Sequence, residues 1–210
     1  MIPRPTLLLV LLCLWMFPRI ALAAEYTVVI DGHSYDVREG EPRSINLPKG
    51  PTVRLEVRKK DPLSYHKHGL SFRYSSDMTL TEATETQSRI LSLERADSTL
   101  VMLYQQLKPV DAEEAAEGVL EDVQQQFIQS GVSYPEGSIH PSPRVIAGEI
   151  VSGKRMLTRL GTNQIETEAY GIHRKGQTLV LLFQADQEDR LQAEPYFKTV
   201  AESLTLAAEK

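Results

Sequence analysis

Two histidines, His66 and His68, flank a lysine in a segment that reads as extended. In extended backbone, residues i and i+2 point the same way, so the two imidazoles could hold one Zn²⁺ or Cu²⁺. Asp61 is near in sequence, and His33, His140 or His173 could complete the set in space. No third ligand stands at a recognised spacing, so the competing reading is a basic linker with solvated histidines, and that is the expectation. Glu166 and Glu168 likewise share one face of an expected strand and could serve acid–base work. Alternating acids are, however, the ordinary solvent face of a half-buried strand.

Other catalytic patterns are missing from the chain. A serine nucleophile on a sharp turn, as in G-x-S-x-G, is not present, and Gly32-His33-Ser34 opens a hairpin strand. Gly153-Lys154 lacks the upstream glycine of a phosphate loop and reads as a loop lysine. The acidic run Asp111–Asp122 has six acids and no base, which could dock a basic partner or form the solvated face of a helix. Arg58-Lys59-Lys60 could touch anionic lipid or a partner, but three charges attract a surface only weakly, and the cluster reads as a linker. No cofactor motif is found.

The N-terminus has the three parts of a secretory signal peptide. Arg4 gives a positive start, Leu7–Phe17 are continuously apolar, and Pro18 stops that helix. Ala21 and Ala23 offer small side chains at the two positions a signal peptidase reads. As a helix the apolar run would rise only about 16 Å, roughly half of the hydrocarbon thickness, which argues against an anchor. Residues 1–23 are therefore expected to be removed, with cleavage after Ala24 as the alternative. A lipoprotein is not expected, since Leu12 precedes Cys13 where a small residue is needed.

Removal takes away Cys13 and Trp15, the chain's one cysteine and one tryptophan, and leaves 187 residues of net charge −7. Thiol catalysis, cysteine metal sites and disulfides are thereby excluded, so stability must come from a packed core. The acidic balance argues against nucleic acid as a partner. Charge is uneven, +1 over residues 24–68 and −8 over 69–210. Two structural units are expected, joined near Asp61-Pro62-Leu63-Ser64.

Residues 24–68 read as a small β unit. Tyr26–Ile30 and His33–Val37 flank Asp31-Gly32, a two-residue hairpin turn. Arg43–Leu47 follows, and Thr52–Arg58 alternates, with Val53, Leu55 and Val57 on one face. In residues 69–210, strands are expected at Gly69–Tyr74, Arg89–Leu93 and Thr99–Leu107. Others are expected within Val145–Val151 or Arg155–Gly161, and at Gln164–His173 and Thr178–Ala185. A helix from Ala112 to about Ser130 is capped by Asp111 and Glu114, buries Ala116, Val119, Leu120, Val123 and Phe127, and ends at Gly131. A second helix, about Glu194 to Ser203, buries Phe197, Val200 and Ala201. The continuous apolar run Leu179–Phe183 calls for cover on both faces of a central strand. The expected class is α+β, a mainly antiparallel sheet with helices on both faces, an α/β/α sandwich preceded by the small all-β unit.

The entering strand Gly69-Leu70-Ser71-Phe72-Arg73-Tyr74, the helix Ala112–Ser130 after the first hairpin, the hairpin ending in Leu179–Phe183, and the closing Val200-Ala201-Glu202-Ser203-Leu204 come in a familiar order. Over Gly69–Leu206 the chain resembles the PsbP-like family, which includes the PsbP subunit of photosystem II, a Ran-binding import factor and DcrB-type exported proteins. Ser75 and Met78 stand where the family commonly has a proline and an aromatic. Over residues 26–60, Asp-Gly, Glu-Pro and Leu47-Pro48-x-Gly50 between strands are similar to the PEGA family of small exported β modules. The PsbP-like resemblance implies a binding or assembly module without catalysis, placed here in the periplasm or secreted, with an envelope protein as partner. The alternatives are a metal-binding protein using His66 and His68, and an enzyme whose residues converge only in space.

Overall fold

The computed structural model describes residues 25–48, 50–58, 60–108, 110–130 and 139–207. The expected signal peptide, residues 1–23 with Ala21 and Ala23, lies outside the described residues, as does Gly131. The chain divides into two compact units between residues 59 and 60.

In the first unit, β1 (Glu25–Ile30) and β2 (His33–Arg38) form the expected antiparallel hairpin, with φ of 48° at Asp31 and 78° at Gly32. Positive φ at both central residues is what the type I′ turn requires. β3 (Arg43–Asn46) pairs antiparallel with β4 (Thr52–Leu55). Strand β4 stops short of the expected Arg58, and Val57 instead makes a parallel bridge to Glu39. Val37 and Ile45 are its buried aliphatic residues.

The second unit is built on β5 (Leu63–Lys67), β6 (Leu70–Tyr74), β7 (Thr79–Thr84), β8 (Ser88–Glu94), β9 (Leu100–Gln106), β10 (Ile139–Pro141), β11 (Arg144–Ile146), β12 (Glu149–Val151), β13 (Gly153–Leu160), β14 (Asn163–Arg174), β15 (Gln177–Asp186) and β16 (Thr205–Leu206), with helices α1 (Ala112–Gln129) and α2 (Arg190–Ser203). Seven strands make one sheet in the order β10-β13-β14-β15-β9-β8-β7, all antiparallel. Strands β16, β6 and β5 form a smaller sheet, and β11 and β12 a separate hairpin.

The alternation along β15 explains the apolar run at its centre. Leu179, Leu181 and Phe183 enter one cluster with Phe197, Val200 and Ala201 of α2. Val180 and Leu182 enter another with Ala115, Ala116, Val119 and Leu120 of α1. Period-2 side chains of one strand thus feed two hydrophobic layers.

Helix α1 starts where the capping residue predicts. The Asp111 carboxylate accepts the backbone N–H of Glu113 at 2.9 Å and of Glu114 at 3.1 Å. Its first turn descends so closely onto β14 that a Cβ at Gly171 would lie 1.8 Å from the Ala112 carbonyl oxygen. Helix α2 begins one turn earlier than expected, at Arg190, with Pro195 inside it. A proline ring removes one helical hydrogen bond, which is why the sequence places the start beside it. The extra turn is fastened by Arg190 through partners on β14, described below.

Three further differences concern the joins. The segment read as a basic linker is strand β5, a hairpin partner of β6, so residues 63–67 pair within the second unit. Strands near Val145–Val151 and Arg155–Gly161 were alternatives in the sequence; both exist, as the β11–β12 hairpin and β13. Strand β7 carries three threonines and only Leu80 and Ala83 as apolar residues, three positions apart, too little periodicity to mark it beforehand. Among the described residues, no helix is long and apolar enough to cross a membrane.

Candidate functional site

His66 lies in β5, but His68 sits in the β5–β6 turn with φ of 53°, so the pair is not in one extended run. His66 Nδ1 lies 2.7 Å from Ser71 Oγ, whereas His68 Nε2 lies 3.2 Å from Glu82 Oε1. The two rings are engaged separately. The other expected ligands are also elsewhere: Asp61 accepts the Ser76 N–H, and His173 Nδ1 contacts Thr178 Oγ1 at 2.9 Å. Among the described residues, no group of three His, Cys, Asp or Glu side chains is placed to hold a metal ion.

Glu82 is the shared partner on this edge instead. Besides His68, Arg89 Nε lies 3.6 Å away and Lys67 Nζ 3.9 Å, and the Tyr65 hydroxyl donates to it at 3.3 Å. Burial, and then the Glu82 charge, push the Tyr65 phenol up to about 12.

Glu166 and Glu168 are not a solvent face. They are 7% and 2% exposed, on the α2 side of β14. Arg190 reaches from the start of α2 and donates to both, Nε to Glu166 at 2.9 Å and Nη2 to Glu168 at 2.6 Å. Arg144 Nη2 lies 2.9 Å from Glu168, and its other amino group pairs with Glu194 of α2. Arg155 lies 3.7 Å from Glu166, Arg190 Nη1 lies 3.3 Å from Glu194, and Ser142 Oγ donates to Glu168 at 3.0 Å. All six carboxylate oxygens are therefore engaged, and three acids face three guanidiniums. Burial opposes the Arg144 charge, and the Glu194 and Glu168 carboxylates outweigh it, raising its pKa.

Aromatic rings floor this cluster. Arg190 lies over Phe183 at 4.1 Å and Arg144 over Phe197 at 5.0 Å. Tyr170, fully buried, lies across Gly153, where a Cβ would come within 2.3 Å of its ring. Its hydroxyl is 3.4 Å from Ser142 Oγ, and burial pushes its pKa up. The arrangement engages the carboxylate oxygens as acceptors for arginine. That is a clamp on the first turn of α2, not an acid–base pair with a free proton position.

The remaining sequence candidates are dispersed. Lys154 is on β13 rather than in a loop, and it pairs with Glu117 of α1, which raises its pKa. Ser34 is exposed on β2. Arg58 pairs with Glu56 at 2.5 Å. In the acidic run, Asp111 caps α1 and Glu117 is paired, while Glu113, Glu114, Glu121 and Asp122 are exposed.

A different feature is visible only in three dimensions. Helix α1 lies over β13, β14 and β15, and the outer strands β9, β8 and β7 extend beyond it. The α2 side of these strands is covered, with Leu91, Leu93, Val101 and Leu103 at 1% exposure or less. On the α1 side, Met102 and Tyr104 of β9 are half-buried against the α1 cluster. Their cross-strand partners Ser92 and Ile90 are also half-buried, and the next partners outward, Thr81 and Ala83 of β7, are exposed. The sequence marked β8 and β9 as strands. It gave no sign that, among the described residues, α1 stops short of one face of the outer strands, because that depends on where α1 lands.

No family model matches the chain, and no curated protein matches it. Solved structures similar to it include a PsbP (CyanoP) of the cyanobacterium Synechocystis, of the family that Gly69–Leu206 resembles, at 13% identity and a TM-score of 0.47, covering 69% of this chain and 91% of that one. A Bacteroides thetaiotaomicron protein is similar at 10% identity and a TM-score of 0.42, over 67% of this chain and 46% of its own length, so this chain spans about half of it. LpqN, involved in cell envelope biogenesis of Mycobacterium tuberculosis, is similar at 9% identity and a TM-score of 0.40, covering 70% of this chain and 86% of that one.

Proposed function

We propose that this chain is an exported, non-catalytic binding or assembly module of the bacterial cell envelope, released from a signal peptide spanning residues 1–23. Its larger part is an α/β/α sandwich and its smaller part an all-β unit, with an envelope protein as the partner. The observation that supports this reading is the half-covered sheet: β7 and β8 carry exposed Ala83 and half-buried Ile90 outward of Met102 and Tyr104, the β9 residues that pack against α1. An interaction surface with an apolar centre and polar rim has this make-up. The chain's most buried charges, by contrast, are engaged with one another in the Arg190 clamp.

The test is capture from an envelope extract by the mature chain, in parallel with an Ile90→Lys variant that melts at the same temperature. A partner retained by the parent and lost by the variant is the expected result. Recovery of the same proteins by both, or a turnover activity that survives Ile90→Lys, overturns the reading.

A further inference from the structure

The open face has a one-sided charge environment. Glu94 ends the row that contains Ile90 and Ser92, on the same side of β8. Glu85 and Asp122 both act on the Tyr104 phenol, which burial first, and then these two carboxylates, push up. Asp122 belongs to α1, whose 18 residues include no lysine or arginine. The arginines next to the row, Arg89 and Arg95, turn to the α2 side, where Arg89 donates to Gln105 and Arg95 lies over Tyr196. The Tyr104 hydroxyl has the Met102 thioether as its partner at 3.3 Å, a weak acceptor. Its single O–H is thus given to a weak acceptor, which leaves the phenol oxygen as an acceptor for an incoming N–H.

The flank of α1 beside this face is also bare. Gly118 precedes Asp122 by four residues and so shares its side of the helix. A Cβ at Gly118 would meet nothing within 4 Å. Glycine in a helix interior costs about 1 kcal/mol against alanine, and no contact within the described fold requires it. A missing side chain there lets a neighbouring backbone approach α1 closely.

We propose that the α1-side face of β7, β8 and β9 seats a basic amphipathic helix of another protein, laid alongside α1. Its apolar stripe would cover Ile90, Ala83, Met102 and the Tyr104 ring. Its lysines or arginines would meet Glu85, Glu94 and Asp122. The charge complementarity selects the partner: an acidic helix would face three carboxylates with no compensating base on α1. This inference rests on the binding-module reading and gives it a partner class.

The experiment titrates isotope-labelled mature chain with a Leu/Lys amphipathic peptide of about 15 residues, long enough to form a helix, and with its Leu/Glu counterpart. Shifts confined to the Ile90 and Met102 methyls, the Tyr104 ring and the α1 amides around Gly118 are expected with the basic peptide alone. Binding should weaken at least several-fold between about 0.05 and 0.3 M salt, and it should be lost in Ile90→Lys and weakened in Asp122→Lys. Gly118→Ala should weaken it without unfolding the chain. Equal response to both peptides, shifts centred elsewhere, or contacts of Ile90 with another segment of its own chain before any peptide is added would overturn the proposal. If the peptides fail while Ile90→Lys still loses its partner in extract capture, the binding module stands and the basic helix falls.

Discussion

Replacing Arg190 by leucine withdraws the cation that ties α2 to β14. Glu166 would keep only Arg155, at 3.7 Å. Glu168 would keep Arg144 at 2.9 Å and Ser142 at 3.0 Å. Removing one partner of a buried ion pair costs about 3–5 kcal/mol, because the carboxylate left behind stays desolvated. The surviving partners of Glu168 place this case near the lower end, and loss of the cation–π contact over Phe183 adds about 1 kcal/mol. A total of about 3–4 kcal/mol follows, which for a chain of this size lowers Tm by roughly 6–16 °C. Thermal and urea melts of the mature chain, followed by circular dichroism, measure it. In the Arg190→Leu/Glu166→Leu double variant the stranded charge is gone, so the loss should fall short of the sum of the single variants by about 1–3 kcal/mol. A single-variant loss below about 1 kcal/mol, the size of an exposed surface pair, would refute the reasoning, for it would mean that Glu166 and Glu168 are solvated after all.

Gly118→Ala should stabilise the free chain by about 1 kcal/mol, read as a higher urea midpoint with unchanged slope, since the added methyl meets open space. Gly171→Ala should do the reverse, by about 1–3 kcal/mol in the same assay, because its Cβ would collide with the Ala112 carbonyl and push α1 off the sheet. Alkaline difference absorbance should show Tyr65, Tyr104 and Tyr170 ionising later than ordinary phenols. For Tyr65 the folded pKa, about 12, exceeds the unfolded value near 10. Its contribution to stability is thus complete below pH about 10 and lost as pH rises towards 12. Tyr65→Phe should flatten the alkaline fall of stability in that window, and an unchanged fall would rule Tyr65 out as a cause.

Local chemistry made several elements readable from the residues alone. Asp111 could be named as a cap because its partners, the amides of Glu113 and Glu114, are two and three residues away. Asp31-Gly32 announces a hairpin because the turn needs only those two residues at positive φ. The run Leu179–Phe183 called for apolar partners on both faces, and its alternate residues cluster with residues of α2 and of α1. Reduction of the mature chain to one without cysteine is likewise a property of the letters, given removal of residues 1–23.

What the residues alone could not decide depends on partners distant in the chain. Arg190 adds a turn to α2 because Glu166 and Glu168 wait 24 and 22 positions earlier on β14. Those same two acids look like a solvated face until the helix is placed above them. His66 and His68 share a face only if the backbone stays extended, and the turn that pairs β5 with β6 separates them. The open face of β7, β8 and β9 is more remote still from sequence, since Ile90 and Leu91 are both aliphatic and adjacent. Period-2 alternation says that they point to opposite sides of the sheet. Which side is covered follows from where α1 crosses, and that position is set by the close approach of Ala112 to Gly171, 59 residues away.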